Sequence, residues 1–551
     1  LFLAALLILA SAFWVRGVAL TGRDRVALAR QKLRGKSGLA LAAVTTAFLG
    51  AGSFIFYNTN VLNDYLTPNQ QLDLQARYEK DFKKYKNTPQ PRIIATSLDV
   101  DLRPEDQSVH FNGTYRIRNN HPHALKEIHI QMQDDKALTS IDFGKAKMSL
   151  HDKDVGYRIY TLEKPMLPGE ERDMKFKVDV AEKGFTNSGN QSEIVENGSF
   201  FNNRMLPSFG YEERAEITDP NERRKRKMGD PQRMPKLDDE AARANTYIGN
   251  DSDWIDFKTT ICTAPDQTAL APGYLQKEFT RNGRHCFSYA MDRPMLNFYA
   301  YLSAKWKVKK GSYKNIPIEI YYDKKHGYNV DRMITATQES LDYFTSNFTP
   351  YQHKQVRILE FPRYAAFAQS FPNTIPFSED IGFIADLRDP DAIDYVFYVT
   401  AHEIAHQWWA HQVIGANMQG ATVLSESLAQ YSALMVMEKE DGKAHMRKFL
   451  KYEGDKYQNA RGAEAIGETP LMYVENQGYI HYQKGSLAMY WLKEVVGESV
   501  VNRALQRLIE QYAFKPAPYP RSTDFLRLLR EEAGPQHDTL ISDLFERITL
   551  W

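Results

Sequence analysis

His402-Glu403-Ile404-Ala405-His406-Gln407-Trp408-Trp409, together with Glu426 further on, is the stretch whose reading decides what this chain is. Positions four apart share one face of a helix, so His402 and His406 present two imidazole nitrogens to a single metal ion. Glu403 stands one step round, where a carboxylate can take a proton from a water that the metal polarises and later give it to a leaving amine. Two histidines and one carboxylate leave a fourth coordination position open, as zinc catalysis requires. Glu426 is the candidate third ligand, because it lies at the start of a stretch in which Leu424, Leu428, Tyr431 and Met435 repeat at helical spacing. The expected cofactor is one zinc ion per chain, held by His402, His406 and Glu426.

Working outward, 551 residues exceed what one core organises, so two or three domains are expected after whatever precedes them. The formal net charge is only +1, which gives no bulk attraction for nucleic acid. Local charge says more. Residues 1–15 are apolar and uncharged up to Arg16, and residues 38–56 form nineteen positions without a charge, enough to cross a bilayer. Between these runs lie Arg16, Arg23, Arg25, Arg30, Lys32, Arg34 and Lys36 against a single Asp24. By the positive-inside rule the loop 16–37 is cytoplasmic, and everything after Tyr57 lies on the periplasmic or outer face of the inner membrane. Residues 1–57 are thus expected to hold transmembrane helices, and membrane lipid is an expected partner.

Residues 58–92 read as a juxtamembrane helix and linker. Thr67-Pro68-Asn69-Gln70 offers an N-cap, a proline at the first helical position and a glutamine to close a capping box. From 93 to 306 the apolar period becomes two: Leu98, Val100 and Leu102, then Val109, Phe111, Tyr115 and Ile117, then Ile128, Ile130 and Met132. This predicts an antiparallel β domain. Its two cysteines, Cys262 and Cys286, fit either a disulfide between neighbouring strands or a pair of buried thiols. Its run Arg223-Arg224-Lys225-Arg226-Lys227 reads as a solvated loop, with contact to anionic lipid as the alternative. From 307 to 551 the helical period dominates, with helices expected over Met333–Phe344, Gly485–Val496 and Val500–Tyr512 and a strand over Val356–Leu359. The fold class is α+β and multidomain.

The residues around the histidine motif resemble the zinc site of the aminopeptidase N and leukotriene hydrolase family of gluzincins. Pro376-Phe377-Ser378-Glu379-Asp380 stands where that family has Gly-Ala-Met-Glu-Asn, and Ile480-His481-Tyr482-Gln483-Lys484-Gly485 is similar to its Tyr-Glu-Lys-Gly segment. The resemblance implies a thermolysin-like catalytic domain, Glu379 as the group that binds the free α-amine of a peptide substrate, and Tyr482 as the group that stabilises the tetrahedral intermediate. A carboxylate beside the metal measures one residue from a chain end, and a phenol opposite it acts mainly in the transition state. The sequence departs from the family in three places: nineteen residues separate His406 from Glu426, one more than usual; Gly-Ala-Met is absent; and Ser425-Glu426-Ser427 replaces Asn-Glu-Gly. The spans, their charged loop and the exit Phe54-Ile55-Phe56-Tyr57-Asn58-Thr59-Asn60 also resemble bacterial ABC-2-type transporter permeases fused to such a peptidase, which implies an ATP-binding subunit as partner. The expected function is a membrane-anchored zinc aminopeptidase. The alternatives are a transporter component that binds or gates cargo without turnover, and a zinc endopeptidase.

Overall fold

The computed structural model describes residues 1–15, 21–186, 193–389, 392–464 and 467–549. It divides into two compact units, Leu1–Gln71 with a short segment from Glu182, and the remainder of the chain. In the first unit Lys36–Phe56 forms a helix that continues into a π-helical turn, Tyr57–Leu62, and none of Lys36–Phe56 is buried. Lys36–Leu62 is the one helix among the described residues that is long and apolar enough to cross a membrane. Phe2–Phe13 is also helical but has 12 residues. The described residues thus hold one candidate span and one shorter apolar helix. Of the basic loop, Arg16 lies outside the described residues, while Gly22–Lys32 is a helix capped by Thr21 and Asp24.

Within the stretch 58–92 a helix runs over Pro68–Phe82. Its capping box forms as read: the Thr67 N–H donates to Gln70 Oε1 at 2.9 Å, and the Gln70 N–H to Thr67 Oγ1 at 3.3 Å. Tyr78 stacks on Tyr211 at 4.9 Å, and Glu79 is buried against Arg223. The basic run is thus not a free solvated loop. Arg223 lies inside, and Arg226 pairs with Asp73 of the same helix at 2.8 Å.

The largest sheet runs in the order Tyr274–Arg281, Arg284–Ala290, Trp254–Thr263, Arg92–Arg103, Ser108–Arg118, Glu171–Ala181, Leu138–Asp142. Leu98, Val100, Leu102, Val109, Phe111, Tyr115 and Ile117 all point into its core, as the period of two requires. One pairing corrects the antiparallel expectation: Arg92–Arg103 and Trp254–Thr263 run parallel, with Leu98 opposite Thr259. Parallel neighbours need a long crossover, and here the rest of the domain supplies it. Cys262 and Cys286 face each other across an antiparallel pair and are joined in a disulfide.

A four-stranded sheet, ordered Lys307–Tyr313, Ile316–Tyr322, Val356–Phe361, Thr374–Ser378, opens the helical part. Its last three strands are parallel, and their carboxyl ends lead to the functional residues. Helices follow over Tyr395–Ala405, Leu428–Asp441, Lys443–Gly462, Gly485–Val496, Glu498–Tyr512 and Ser522–Ala533. Val330–Asn347 covers the helix expected from Met333, while Lys443–Gly462 and Ser522–Ala533 were not foreseen. The apolar core of this part takes in Phe200, Leu270 and Leu302 from the β region, which has a second core of its own around Leu98, Val100 and Phe111.

Candidate active site

The histidine helix, Tyr395–Ala405, is buried almost all round, and Asp394 caps it by accepting from the Phe397 N–H at 2.9 Å. Trp409 Nε1–H donates to Ser432 Oγ at 2.8 Å, which fixes the helix against Leu428–Asp441. Glu426 stands in a π-helical turn, Val423–Ser427, that leads into that second helix. Glu379 and Tyr482 also stand in π-helical turns, Glu379–Phe383 and Tyr479–Lys484. Such a turn takes one residue more than an α-turn, enough to take up the extra residue before Glu426.

His402, His406 and Glu426 come together as a triangle. The two Nε2 atoms are 3.1 Å apart, and Glu426 Oε2 lies 3.5 Å from His402 Nε2 and 3.4 Å from His406 Nε2. The His406 ring is oriented by its Nδ1–H, which donates to the Trp409 carbonyl at 3.0 Å and leaves the Nε2 lone pair facing the triangle. Glu426 Oε2 has no hydrogen-bond partner although it is buried. A tetrahedral ion with bonds of about 2.0–2.2 Å needs ligand atoms about 3.3–3.6 Å apart. The orphaned carboxylate oxygen and the inward lone pairs therefore fit zinc.

The Glu426 and Glu403 carboxylates favour positive charge at the triangle. Burial alone would lower the His406 pKa, but the Glu426 and Glu403 charges outweigh it and raise it to about 9. Burial would conversely raise Glu426, yet His406 and His402 hold it well below the usual carboxylate range. Glu403 is 6 % exposed, and its Oε2 has no partner. Burial, with the nearby Glu426 charge, lifts its pKa to about 7 against the opposing pull of His406.

Tyr482 packs its ring 6.0 Å from that of His402. Burial and the Glu426 charge push its phenol far above the ordinary value, so it keeps its proton. His481 stacks edge-on against Tyr482 at 4.5 Å, and burial lowers its pKa to about 4, so it stays neutral. Beneath them Lys484 is fully buried against Glu468, which also accepts from Tyr457 at 2.8 Å and Arg461 at 2.6 Å.

Glu379 follows the edge strand Thr374–Ser378, and Pro376, Phe377 and Ser378 are buried within that strand. Its carboxylate belongs to a second cluster with His326 and Glu360, distinct from the zinc triangle. His326 Nδ1 and Arg363 Nε each lie 3.7 Å from it. Sequence reasoning missed His326, Glu360 and Arg363, which lie in loops and at a strand end without periodic signal. It also missed Tyr247, a partly buried tyrosine whose phenol pKa is raised by desolvation and the Glu426 charge.

The parallel-edged sheet, the paired helices and the two-histidine, one-glutamate triangle form an arrangement that fits a catalytic zinc ion. Residues 332–547 match the Peptidase family M1 domain. Over 192 residues the chain is 25% identical to probable aminopeptidase 1 of Sulfurisphaera tokodaii, covering 33% of this chain and 24% of that protein. It is 20% identical over 211 residues to human endoplasmic reticulum aminopeptidase 2, covering 37% and 22%. The chain thus spans about a quarter of the length of these curated relatives. In fold it is similar to an M1 zinc metallopeptidase from Deinococcus radiodurans, with a TM-score of 0.56, 14% identity, and coverage of 84% of this chain and 95% of that one. A mutant of that protein has been crystallised with a Tyr-Ser-Ala substrate.

Proposed function

We propose that this chain is a membrane-anchored zinc aminopeptidase that removes N-terminal residues from peptides outside the cytoplasm. The observation that carries this reading is the placement of Glu403 and Tyr482 beside the His402–His406–Glu426 triangle. A site that only held zinc, or only gathered cargo, would need neither. Zinc at the triangle would act as a Lewis acid toward the scissile carbonyl and the attacking water. Glu403 takes the water's proton on Oε2, its unpartnered oxygen, and returns it to the leaving nitrogen. Tyr482 donates its O–H to the oxygen on which charge develops. Glu379 accepts from the substrate's α-ammonium and so sets the distance from the chain end.

The apolar helix Lys36–Leu62 supports anchoring, and the Cys262–Cys286 disulfide suits an oxidising compartment. With the basic residues on its leading side, the helix would place the peptidase on the periplasmic face of the inner membrane. The permease-like exit segment supports a place in an ABC transporter beside an ATP-binding subunit. Co-purification of such a subunit with the tagged chain from solubilised membranes tests that association.

One observation favours a second reading, a zinc endopeptidase: Glu379 already faces His326 and Arg363. The two are separated with fluorogenic amino-acid amides. An aminopeptidase cleaves the free-amine substrate, loses activity when the amine is acetylated, and loses it again in Glu403→Gln at equal zinc content. Equal activity on blocked and free substrates would select the endopeptidase, and equal activity of Glu403→Gln would remove the mechanism.

A further inference from the structure

Gln407 follows the second zinc-triangle histidine and is completely buried. Its side chain turns away from the metal toward the connection between strands Val356–Phe361 and Thr374–Ser378. There it uses every polar atom. Its Nε2 donates to the Phe371 carbonyl at 2.9 Å and to Ser370 Oγ at 2.5 Å, and its Oε1 accepts from the Asn373 N–H at 3.0 Å. A second residue from the same segment repeats the grip, as His411 Nε2–H donates to the Ser370 carbonyl at 2.9 Å. From the turn at Phe371–Thr374 the chain folds into a small antiparallel hairpin. Ala368 bridges Phe377, and the Ser378 N–H donates to the Phe367 carbonyl at 3.0 Å. The next residue is Glu379.

We propose that Gln407 is a positioning residue that locks the hairpin carrying Glu379 in register with the zinc helix, and so fixes the spacing between the amine anchor and the metal. This rests on the aminopeptidase reading for its consequence but not for its geometry. An amide is suited to the task because it donates and accepts at once, matching one carbonyl, one hydroxyl and one N–H. Arg357 ties the same turn to the sheet through the Asn373 and Thr374 side chains, and Gln407 adds its tie to the zinc helix; buried groups that lose a partner are costly. The anchor must be held within a fraction of an ångström for the scissile bond to meet the metal, since small misplacements are expensive in rate. Glu379 leads directly out of strand Thr374–Ser378, so its position is inherited from that strand, which Gln407 ties to the zinc helix.

The test uses the full chain with Gln407→Met, which keeps the bulk and removes all three bonds, and Ser370→Ala, which removes one bond with little change of volume and serves if the first variant does not fold. Amide hydrogen exchange is read on peptides covering 366–379 and 395–405, and kcat/KM is measured on free-amine and acetylated substrates at equal zinc content. The hairpin is expected to exchange about tenfold faster, as loss of one hydrogen bond implies, while the helix is unchanged. The ratio of free-amine to acetylated kcat/KM is expected to fall about tenfold, mainly through KM. Unchanged hairpin exchange overturns the proposal, and so does a parallel loss on both substrates, which is what a merely structural role would give. If the parent shows no preference for the free amine, the aminopeptidase reading fails while the exchange result still decides the lock.

Discussion

Ser427 Oγ–H donates to the carbonyl of His481 at 2.7 Å, tying the turn that carries Glu426 to the turn that carries Tyr482. The same hydroxyl sits where a Cβ on Gly485 would come within 2.5 Å of Oγ and 3.0 Å of the serine Cβ. Gly485→Ala should therefore push the two turns apart, cost about 1–3 kcal/mol of stability by overpacking and lower kcat. Adding Ser427→Gly should relieve the clash and restore stability by denaturant titration. A double variant no better than Gly485→Ala would mean the two residues are not coupled.

Tyr482 retains its proton because burial and Glu426 both oppose the phenolate. Tyr482→Phe keeps the ring packing against His481 and His402 and removes only the O–H. Steady-state kinetics should show kcat falling about 100- to 1000-fold with a much smaller change in KM. A rise in KM at unchanged kcat would assign Tyr482 to substrate binding instead.

Zinc removal by a chelator should abolish hydrolysis, and activity should return in proportion to added zinc up to one equivalent. His406→Ala removes both a triangle atom and the bond to the Trp409 carbonyl, so metal analysis should find it zinc-poor. A requirement for a second equivalent would show that His326, Glu360 and Glu379 also hold metal.

The local part of this site was legible because helical spacing alone brings His402, Glu403 and His406 together. The β region was legible for the same reason at period two. What stayed hidden depends on contacts distant in sequence. No pattern marks Ser370 and Asn373 as partners of Gln407, or Glu79 as the partner of Arg223, which reads as one charge in a basic run. The π-helical turns at Glu379, Glu426 and Tyr482 arise from packing, and no residue type signals them. Lys443–Gly462 escaped notice because it buries only Met446, Phe449, Glu453 and Tyr457, too few apolar residues for a clear stripe.

Glu453 on that helix is 2% exposed, its Oε2 lacks a partner, and burial raises its pKa to about 7. An unfolded glutamate titrates near 4.3. The folded state thus holds this proton more tightly. The associated stability is fully present below about pH 4 and declines by about 3 kcal/mol as pH rises through 7. Glu453→Gln should raise the thermal midpoint at pH 8 and leave it nearly unchanged at pH 4. An equal shift at both pH values would place the effect elsewhere.

Arg223 and Glu79 are each about 5% exposed, and the guanidinium meets the carboxylate in a fork, Nη1 to Oε2 at 2.7 Å and Nη2 to Oε1 at 2.8 Å. Nη1–H also donates to the Ile217 carbonyl at 2.9 Å, and Nε–H to that of Gly229 at 2.6 Å. Burial would raise the Glu79 pKa, but its hydrogen bonds to Arg223 and Lys83 outweigh that and lower it. Its contribution is therefore present above the ordinary glutamate pKa and lost as pH falls through the lower folded value. Arg223→Met would leave a buried carboxylate unpaired, at a cost of about 3–5 kcal/mol. Arg223→Lys should rescue little, because one ammonium cannot reproduce the fork and both carbonyl contacts. Adding Glu79→Gln to Arg223→Met should recover part of the loss, since it removes the stranded charge. Limited proteolysis and hydrogen exchange across Leu72–Phe82 are the readouts, because both salt-bridge residues bear on this helix. If the helix in Arg223→Met stays as protected as in the parent, the ion pair does not hold it.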